Sequence, residues 1–509
     1  MKDVKIYFVL LFVTVFSSCT KLDESFRSEL EENNSGTITA DQLLISAYNS
    51  LNGPFQTGDL WHTQQHSSDE TMAPTRGPDW DDNGQWRALH AHTWNADQGQ
   101  IRGAFNGLLS AQFAASNVLQ FNPSSQQAAE ARFIRALSMY SVLDGYDQVP
   151  FREDLTDYKK LPVTKKGVEA ADFIITELNA IMSDLPSTGQ AFIANQDAAK
   201  ALLMKLYLNK GVYANRANPT FDAADMNQVI TLADEITNTG KYSVTDNAYF
   251  DHFAPNNDVL SKENIYTLFN NESDNKGGNV RGAAFQVSHY NMNPSGWNGF
   301  TTLSDFYNKF EPGDERLGKD QYDYPGALPN PGHRQNVGFL IGQQYNLTTD
   351  EALQDRKGNP LIFTPEVSLR ETGDNLEITG IRVIKYPYDY ASAGDQKNND
   401  WVVFRYSDVL LMKAEAQMRT GTGDPLAIVN QIRAQRGASA LGTLTDQSLL
   451  DERGRELYWE GFRRQDLIRF GKYLEPWQEK PSDDPKNLLF PIPSDQLAVN
   501  PNLTQNPGY

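Results

Sequence analysis

Apolar residues recur at helical spacing through most of the chain. Leu43, Leu44, Ala47 and Leu51 share one face of a helix that starts near Thr39 or Asp41 and ends at Gly53 and Pro54. A longer helix is predicted over 98–121, broken by Asn122 and Pro123. Ser124 then caps another, with Gln127 three residues on as its capping-box partner. Phe133, Ala136, Leu137, Tyr140 and Leu143 run along it, and Gly145 reads as its stop. Further helices are predicted over 168–184, over 197–210 with Gly211 as the stop, and over 226–237 with Gly240. Near the C-terminus they fall at 406–419, 426–436 and 447–470. Short connections make such neighbours antiparallel. Helix pairs of roughly 34–45 residues have the spacing of tetratricopeptide-type repeats.

Between about 246 and 401 this pattern stops. The segment is rich in Asn, Gly and Pro, with short strand-like runs such as 378–386, and it is too long for one loop. The predicted fold class is therefore mainly α. A tetratricopeptide-like helix-pair scaffold at about 36–245 and 402–475 carries a large irregular, loop-rich elaboration, all within one domain at 36–509. Long loops on a rigid scaffold are where binding residues usually sit.

Composition narrows the function. Among 509 residues, 45 Lys and Arg face 65 Asp and Glu, a formal charge of −20 that disfavours nucleic acid as a partner. A mean hydropathy of −0.55 excludes a polytopic membrane protein. The one cysteine, Cys19, rules out an intrachain disulfide. It follows Lys2 and Lys5, an apolar run over 6–16 too short to span a bilayer, and Ser17 and Ser18. This reads as an export signal over 1–18 cut just before Cys19, with Cys19 lipidated, although Phe16 stands where such signals prefer Leu. The polar, acidic stretch that follows, to about residue 35, reads as a tether.

Half of the eight Trp lie close together, at Trp61, Trp80, Trp86 and Trp94. Between Trp61 and Trp94 runs a Gly/Pro/Asp-rich segment, and a second aromatic loop spans 290–300 with Tyr290 and Trp297. An aromatic ring covers the apolar face of a sugar, while Asp, Asn, Gln and Arg satisfy its hydroxyl rim. Trp61 and Trp94 are read as packing residues. Trp80, Trp86 and Trp297, flanked by small and polar residues, are read as sugar platforms with Tyr290 as a fourth. Asp69, Asp79 and Arg370 are the expected hydroxyl partners. No catalytic residue is assigned.

Metal and nucleotide signals are weak. Asp79, Asp81, Asn83 and Gly84 match the first half of a calcium loop, but His90 stands at position twelve, so an EF-hand is rejected and only an isolated calcium site stays open. His62 with His66, and His90 with His92, have the spacing of zinc pairs without an accompanying HExxH. The run from Gly313 to Lys319 resembles a phosphate loop, but Asp320 stands where Ser or Thr must hold magnesium. No cofactor is expected. The charged run from Arg453 to Arg469 reads as a salt-bridged helical surface.

The C-terminal third carries a resemblance. The run Phe404-Arg405-Tyr406-Ser407-Asp408-Val409-Leu410-Leu411-Met412-Lys413-Ala414-Glu415-Ala416 resembles the SusD/RagB family. So do Glu456-Leu457, Glu460-Gly461, the run from Arg464 to Arg469, Pro491-Ile492-Pro493 and the closing segment from Asn500 to Tyr509. Upstream, Ala129 to Ala136 and Ser68-Asp69-Glu70 are similar to two further family motifs. Departures fall at Ser407, Lys413 and Arg464, where Ala, Tyr and Trp are common. The resemblance implies a surface-exposed lipoprotein of a Gram-negative outer membrane. Such a protein binds oligosaccharide and sits as a lid on a SusC-like TonB-dependent transporter. Two alternatives stay open: a peptide-binding lid of a RagA-like transporter, and a surface glycoside hydrolase.

Overall fold

Helices form where the sequence places its apolar stripes. The computed structural model describes residues 38–509 except 153–154, 158, 275–277, 321, 323–335, 348 and 393–395. The export signal, Cys19 and the tether therefore lie outside the described residues. The main helices are α1 (Ala40–Ser50), α2 (Asp59–His66), α3 (Gln85–His90), α4 (Gly99–Val118), α5 (Ser125–Tyr146), α6 (Gly167–Ile181), α7 (Gln196–Ala214) and α8 (Ala223–Asn238). After the elaboration come α9 (Tyr406–Thr420), α10 (Pro425–Gln435), α11 (Asp446–Leu457) and α12 (Arg463–Arg469). The mainly α class is as expected. Among the described residues no helix is long and apolar enough to cross a membrane.

From α4 to α10 each helix packs on the next in one continuous array, and α8 meets α9 although the chain between them leaves the array altogether. The departure and return are joined by an antiparallel strand pair, Asn264–Leu268 with Trp401–Arg405, which leads directly into α9. The capping box at Ser124 forms as predicted: Gln127 N donates to Ser124 Oγ at 3.2 Å, and Ser124 N donates to Gln127 Oε1 at 2.8 Å. Residues Ala40–Tyr509 form one compact unit around a shared apolar core.

Two predicted boundaries are corrected. Gly211 does not stop α7, which runs on to Ala214. A Cβ at Gly211 would fall 1.8 Å from the Thr220 carbonyl oxygen, so glycine there permits a close backbone crossing. The single helix predicted over 447–470 is two, α11 and α12, separated by left-handed Trp459 (φ 59°) and Gly461 (φ 80°). Tertiary bonds capture this break. Trp61 Nε1 donates to the Trp459 carbonyl, while Trp459 N and Gly461 N donate to the Glu70 and Gln65 side chains.

The charged run from Arg453 to Arg469 is also corrected, from a surface to a buried ion network. Arg316, Arg405, Arg436, Arg453, Arg464 and Arg469 are each at most 2 % exposed, as are Glu263, Glu415, Glu452 and Glu456. Arg316 lies in the run that resembled a phosphate loop. There it pairs with Asp314, Glu452 and Glu456 at 2.7–3.0 Å.

Behind this network Glu70 is fully buried, accepting from Gln65 and from the Trp459 amide. Burial pushes its carboxyl up to about 8. The native state then holds a proton that the unfolded chain releases near 4.5, so stability falls as pH rises between those values. Glu70→Gln cannot ionise. Its stability relative to the wild type is expected to improve by about 1 kcal/mol per pH unit between pH 5 and 7. Urea titrations of both proteins across that range check this, and parallel pH profiles would refute it.

Candidate functional site

The irregular segment wraps the chain that follows α2. Thr71–Met72 pairs antiparallel with Thr301–Thr302, and Thr75–Arg76 pairs in parallel with Arg370–Glu371. These short ladders bring the two tryptophan loops together. In the first loop Trp80, Asp82, Asn83 and Gly84 all have positive φ, a tight left-handed run that Asn, Asp and Gly tolerate and Trp disfavours. In the second, Trp297 N donates to the Phe285 carbonyl and Phe300 N to the Gln286 carbonyl, so the segment doubles back on itself.

Trp80 and Trp297 meet directly: Trp80 Nε1 donates to the Trp297 carbonyl at 2.8 Å. Trp80 lies against Trp86 (ring centroids 5.6 Å apart) and Phe300 (4.9 Å). Beneath them Trp86, Phe300, His62 and His66 interlock, the two histidines edge to face on Trp86 and Phe300 tilted against it, with His66 and Phe300 4.2 Å apart. Gly299 makes this possible, because a Cβ there would lie 2.3 Å from the Trp80 ring. Gly299→Ala is therefore expected to push Trp80 off its seat at a cost of about 1–3 kcal/mol. A thermal melt together with a changed Trp fluorescence spectrum reads the shift, and an unchanged spectrum would count against it.

Two arginines hold the second loop by its carbonyls. Arg76 Nη1 donates to the Asn298 and Gly299 carbonyls, both at 2.8 Å, and its Nη2 to the Thr379 carbonyl at 2.7 Å. Arg382 Nη2 donates to Asn298 Oδ1 at 2.7 Å and to the Glu377 carbonyl at 3.1 Å. Both guanidiniums are buried, which lowers Arg76 to about 10 and Arg382 well below the usual arginine range. Their charge is spread over backbone dipoles, so the loop gains a rigid seat.

A polar chain runs beside the rings. Tyr290 Oη donates to Asp79 Oδ2 at 2.7 Å, and Arg356 reaches Asp79 at 3.2 Å and Glu377 at 2.6 Å. His289 Nε2 lies 2.8 Å from Glu377. The Arg356 guanidinium sits 3.9 Å above the Tyr290 ring. Burial and the bond to Asp79 raise the Tyr290 hydroxyl to about 12. Burial works against ionisation of Glu377, but bonds from the Arg356 amide and from His289 hold its carboxyl below the usual range.

Of the seven residues expected to touch ligand, six lie on this face and one does not. Trp297 is 49 % exposed. Trp80 is half-buried with an open edge. Trp86 is corrected from a platform to a support: it is 7 % exposed, lies under Trp80, and spends its indole N–H on Asp82 at 2.7 Å. Tyr290 keeps only part of the predicted role, because Arg356 covers one ring face. Asp79 anchors Tyr290 and Arg356. Arg370 lies at the edge, exposed, 3.7 Å from Asp81. Asp69 is corrected to a different place. It forms a two-pronged pair with Arg463 on α12, whose charge and bonds keep its carboxyl low although burial opposes this.

Sequence reasoning missed Arg76, Arg356, Glu377 and Arg382. A buried arginine beside left-handed loops leaves no periodic signal, so only the folded chain reveals them. Trp61 and Trp94 are buried, at 5 % and 4 % exposure. The half-match to a calcium loop is cation-paired, Asp79 with Arg356 and Asp81 with Arg87 at 2.8 Å. His90 and His92 bond backbone carbonyls of Thr71, Gln478 and Ser67. Among the described residues no three His, Cys, Asp or Glu side chains converge to hold a metal ion.

Comparison with known proteins agrees with this architecture. The model of the SusD family matches residues 262–509. Starch-binding protein SusD of Bacteroides thetaiotaomicron is 27% identical over 416 residues, covering 75% of this chain and 73% of that protein. A SusD superfamily protein from Parabacteroides distasonis superposes with a TM-score of 0.70 at 20% identity, over 92% of this chain and 98% of that one. Surface glycan-binding protein A from Bacteroides thetaiotaomicron, solved in complex with laminarihexaose, superposes with a TM-score of 0.68 at 16% identity, over 92% and 98%. The chain thus carries the SusD family's sequence pattern over residues 262–509 and shares the fold of SusD superfamily structures over nine-tenths of its length.

Proposed function

We propose that this protein captures oligosaccharide on the aromatic face built by Trp80 and Trp297, without transforming it. The observation that carries this reading is the exposed Trp297 ring, on a backbone that Trp80 holds at the Trp297 carbonyl and that Arg76 and Arg382 hold at the neighbouring Asn298. A rigid indole loses little entropy when a sugar stacks on it. Around it Tyr290, Asp79, Arg356 and Arg370 offer the charge-assisted donors and acceptors that vicinal hydroxyls require. The starch-binding and laminarihexaose-bound relatives support a glycan as the ligand.

The Glu377 carboxylate on this face favours binding over catalysis. A glycosidase needs one carboxylic acid with a raised pKa, and Glu377 is held low by its partners. Anchoring through Cys19 at the outer membrane, and service as the lid of a SusC-like TonB-dependent transporter, complete the proposal. Support for these steps comes from the apolar run before Cys19 and from the SusD family match over residues 262–509. Peptide capture draws instead on backbone pairing to an exposed edge strand, and the strands nearest this face are two residues long.

The experiment is a glycan array with laminarihexaose and starch oligosaccharides, run beside a random peptide library. Retention of oligosaccharides alone, with no new reducing ends on incubation, is the expected result. Retention of peptides alone overturns the glycan reading, and new reducing ends overturn the non-catalytic one.

A further inference from the structure

Asp69, displaced from the aromatic face, belongs to a cleft of its own. The cleft has a volume of about 210 Å³ and lies between the segment at 303–309, α11, α12 and the turn at 472–477. We propose that this cleft is a second saccharide site, holding one neutral sugar unit. The inference rests on the glycan reading above.

The floor of the cleft is the Asp69–Arg463 pair. Arg463 Nε and Nη2 donate to the two Asp69 oxygens at 2.6 and 2.8 Å, and Nη1 donates to the Leu450 carbonyl at 2.7 Å. A guanidinium has five N–H groups and a carboxylate about four lone-pair positions. Each therefore keeps unspent capacity, side by side, as an adjacent donor and acceptor. Two neighbouring sugar hydroxyls, each both donor and acceptor, fit that pattern. Arg463 is 3 % exposed, so these bonds form where water competes poorly.

The walls are mixed: Leu303, Leu450, Leu467, Pro476 and Trp477 offer apolar surface for the C–H face of a pyranose ring, between charged and polar side chains. Of the charged groups lining the cleft, Asp69, Asp305 and Glu475 balance Lys309, Arg463 and Lys472. The lining therefore has no net formal charge to select an ionic ligand.

The turn at 477–480 joins the two sites. Trp477 walls the cleft, while Glu479 accepts from the Leu369 amide at 2.9 Å, beside Arg370 at the edge of the aromatic face. The cleft and the face thus flank one turn.

The test is titration calorimetry of the whole chain with the neutral oligosaccharides retained on an array that includes laminarihexaose. Gln447→Trp plugs the mouth from an exposed position on α11, and Asp305→Ala trims the exposed rim. Each is expected to weaken binding three- to tenfold without altering the melting temperature, and Trp297→Ala to weaken it separately. Wild-type affinity in both cleft variants, with a loss in Trp297→Ala, overturns the second site and leaves the aromatic face standing. Loss in the cleft variants alone upholds the cleft and overturns the face. Retention of no neutral oligosaccharide overturns both.

Discussion

Arg405→Met is expected to lower the free energy of unfolding by about 3–5 kcal/mol, measured by urea denaturation at pH 7. Arg405 is 1 % exposed and ties three elements together. Its guanidinium reaches Glu456 at 2.6 Å and Glu460 at 2.8 Å, at the end of α11 and just beyond. It also reaches Glu263 at 3.1 Å, just before the strand that pairs with its own. Methionine keeps the apolar stem and removes the charge. Arg436 and Lys385 remain within 3.0 Å of the same carboxylates, but they cannot replace a donor to all three. The loss therefore comes from three buried carboxylates that each lose one of their cationic partners at once. A cost below about 1 kcal/mol would show that the network tolerates the vacancy. The variant is also expected to fail earlier on acidification. Glu456 is held well below the usual range, against burial, by Arg436, Arg405 and Arg316. A depressed carboxyl contributes stability above its unfolded value near 4.5 that is lost as pH falls toward its folded value. With one of the three cations gone, that loss begins at higher pH.

Trp297→Ala is expected to weaken oligosaccharide binding by about 2 kcal/mol, close to thirtyfold, with the melting temperature unchanged. The side chain is half exposed, and the loop is held by backbone contacts that the substitution leaves in place: Trp80 Nε1 to the Trp297 carbonyl, and Arg76 to the next two carbonyls. Binding and folding are thus separable at this residue. Trp86→Ala should behave oppositely, because its ring packs beneath Trp80 and Phe300. It is expected to lower the melting temperature first and to weaken binding only as a consequence. Calorimetry and thermal melts on both variants distinguish a ring that meets ligand from one that supports it. Equal binding losses at equal stability would contradict this division.

The helical half of the molecule was legible because its signals are local. The Ser124 capping box, the apolar stripe of α5 and the stop near Gly240 depend on residues a few positions apart. So were the family motifs from Phe404 to Ala416. They are contiguous because the strand leading into α9 and the helix itself must supply Arg405, Asp408 and Glu415 to the ion network in fixed order. Legibility failed where one residue had two readings. Arg453 to Arg469 has the charge spacing of a solvated helix, and nothing local says that carboxylates from α9 and from residue 263 enclose it. Trp80 and Trp86 sit in the same Gly- and Asp-rich run, yet one presents an edge and the other is covered. Asp69 lies eleven residues before Trp80 but faces α12 instead.

The sequence alone determined the helix periods, the abundance of loop aromatics beside hydroxyl-binding side chains, and the SusD family pattern of the C-terminal half, because each is written in neighbouring residues. Only the tertiary structure decided which indoles are open and which acids are already paired. Exposure and ionic partnership depend on residues two or three hundred positions away, brought close by pairings such as Thr71 with Thr302 and Arg76 with Asn298.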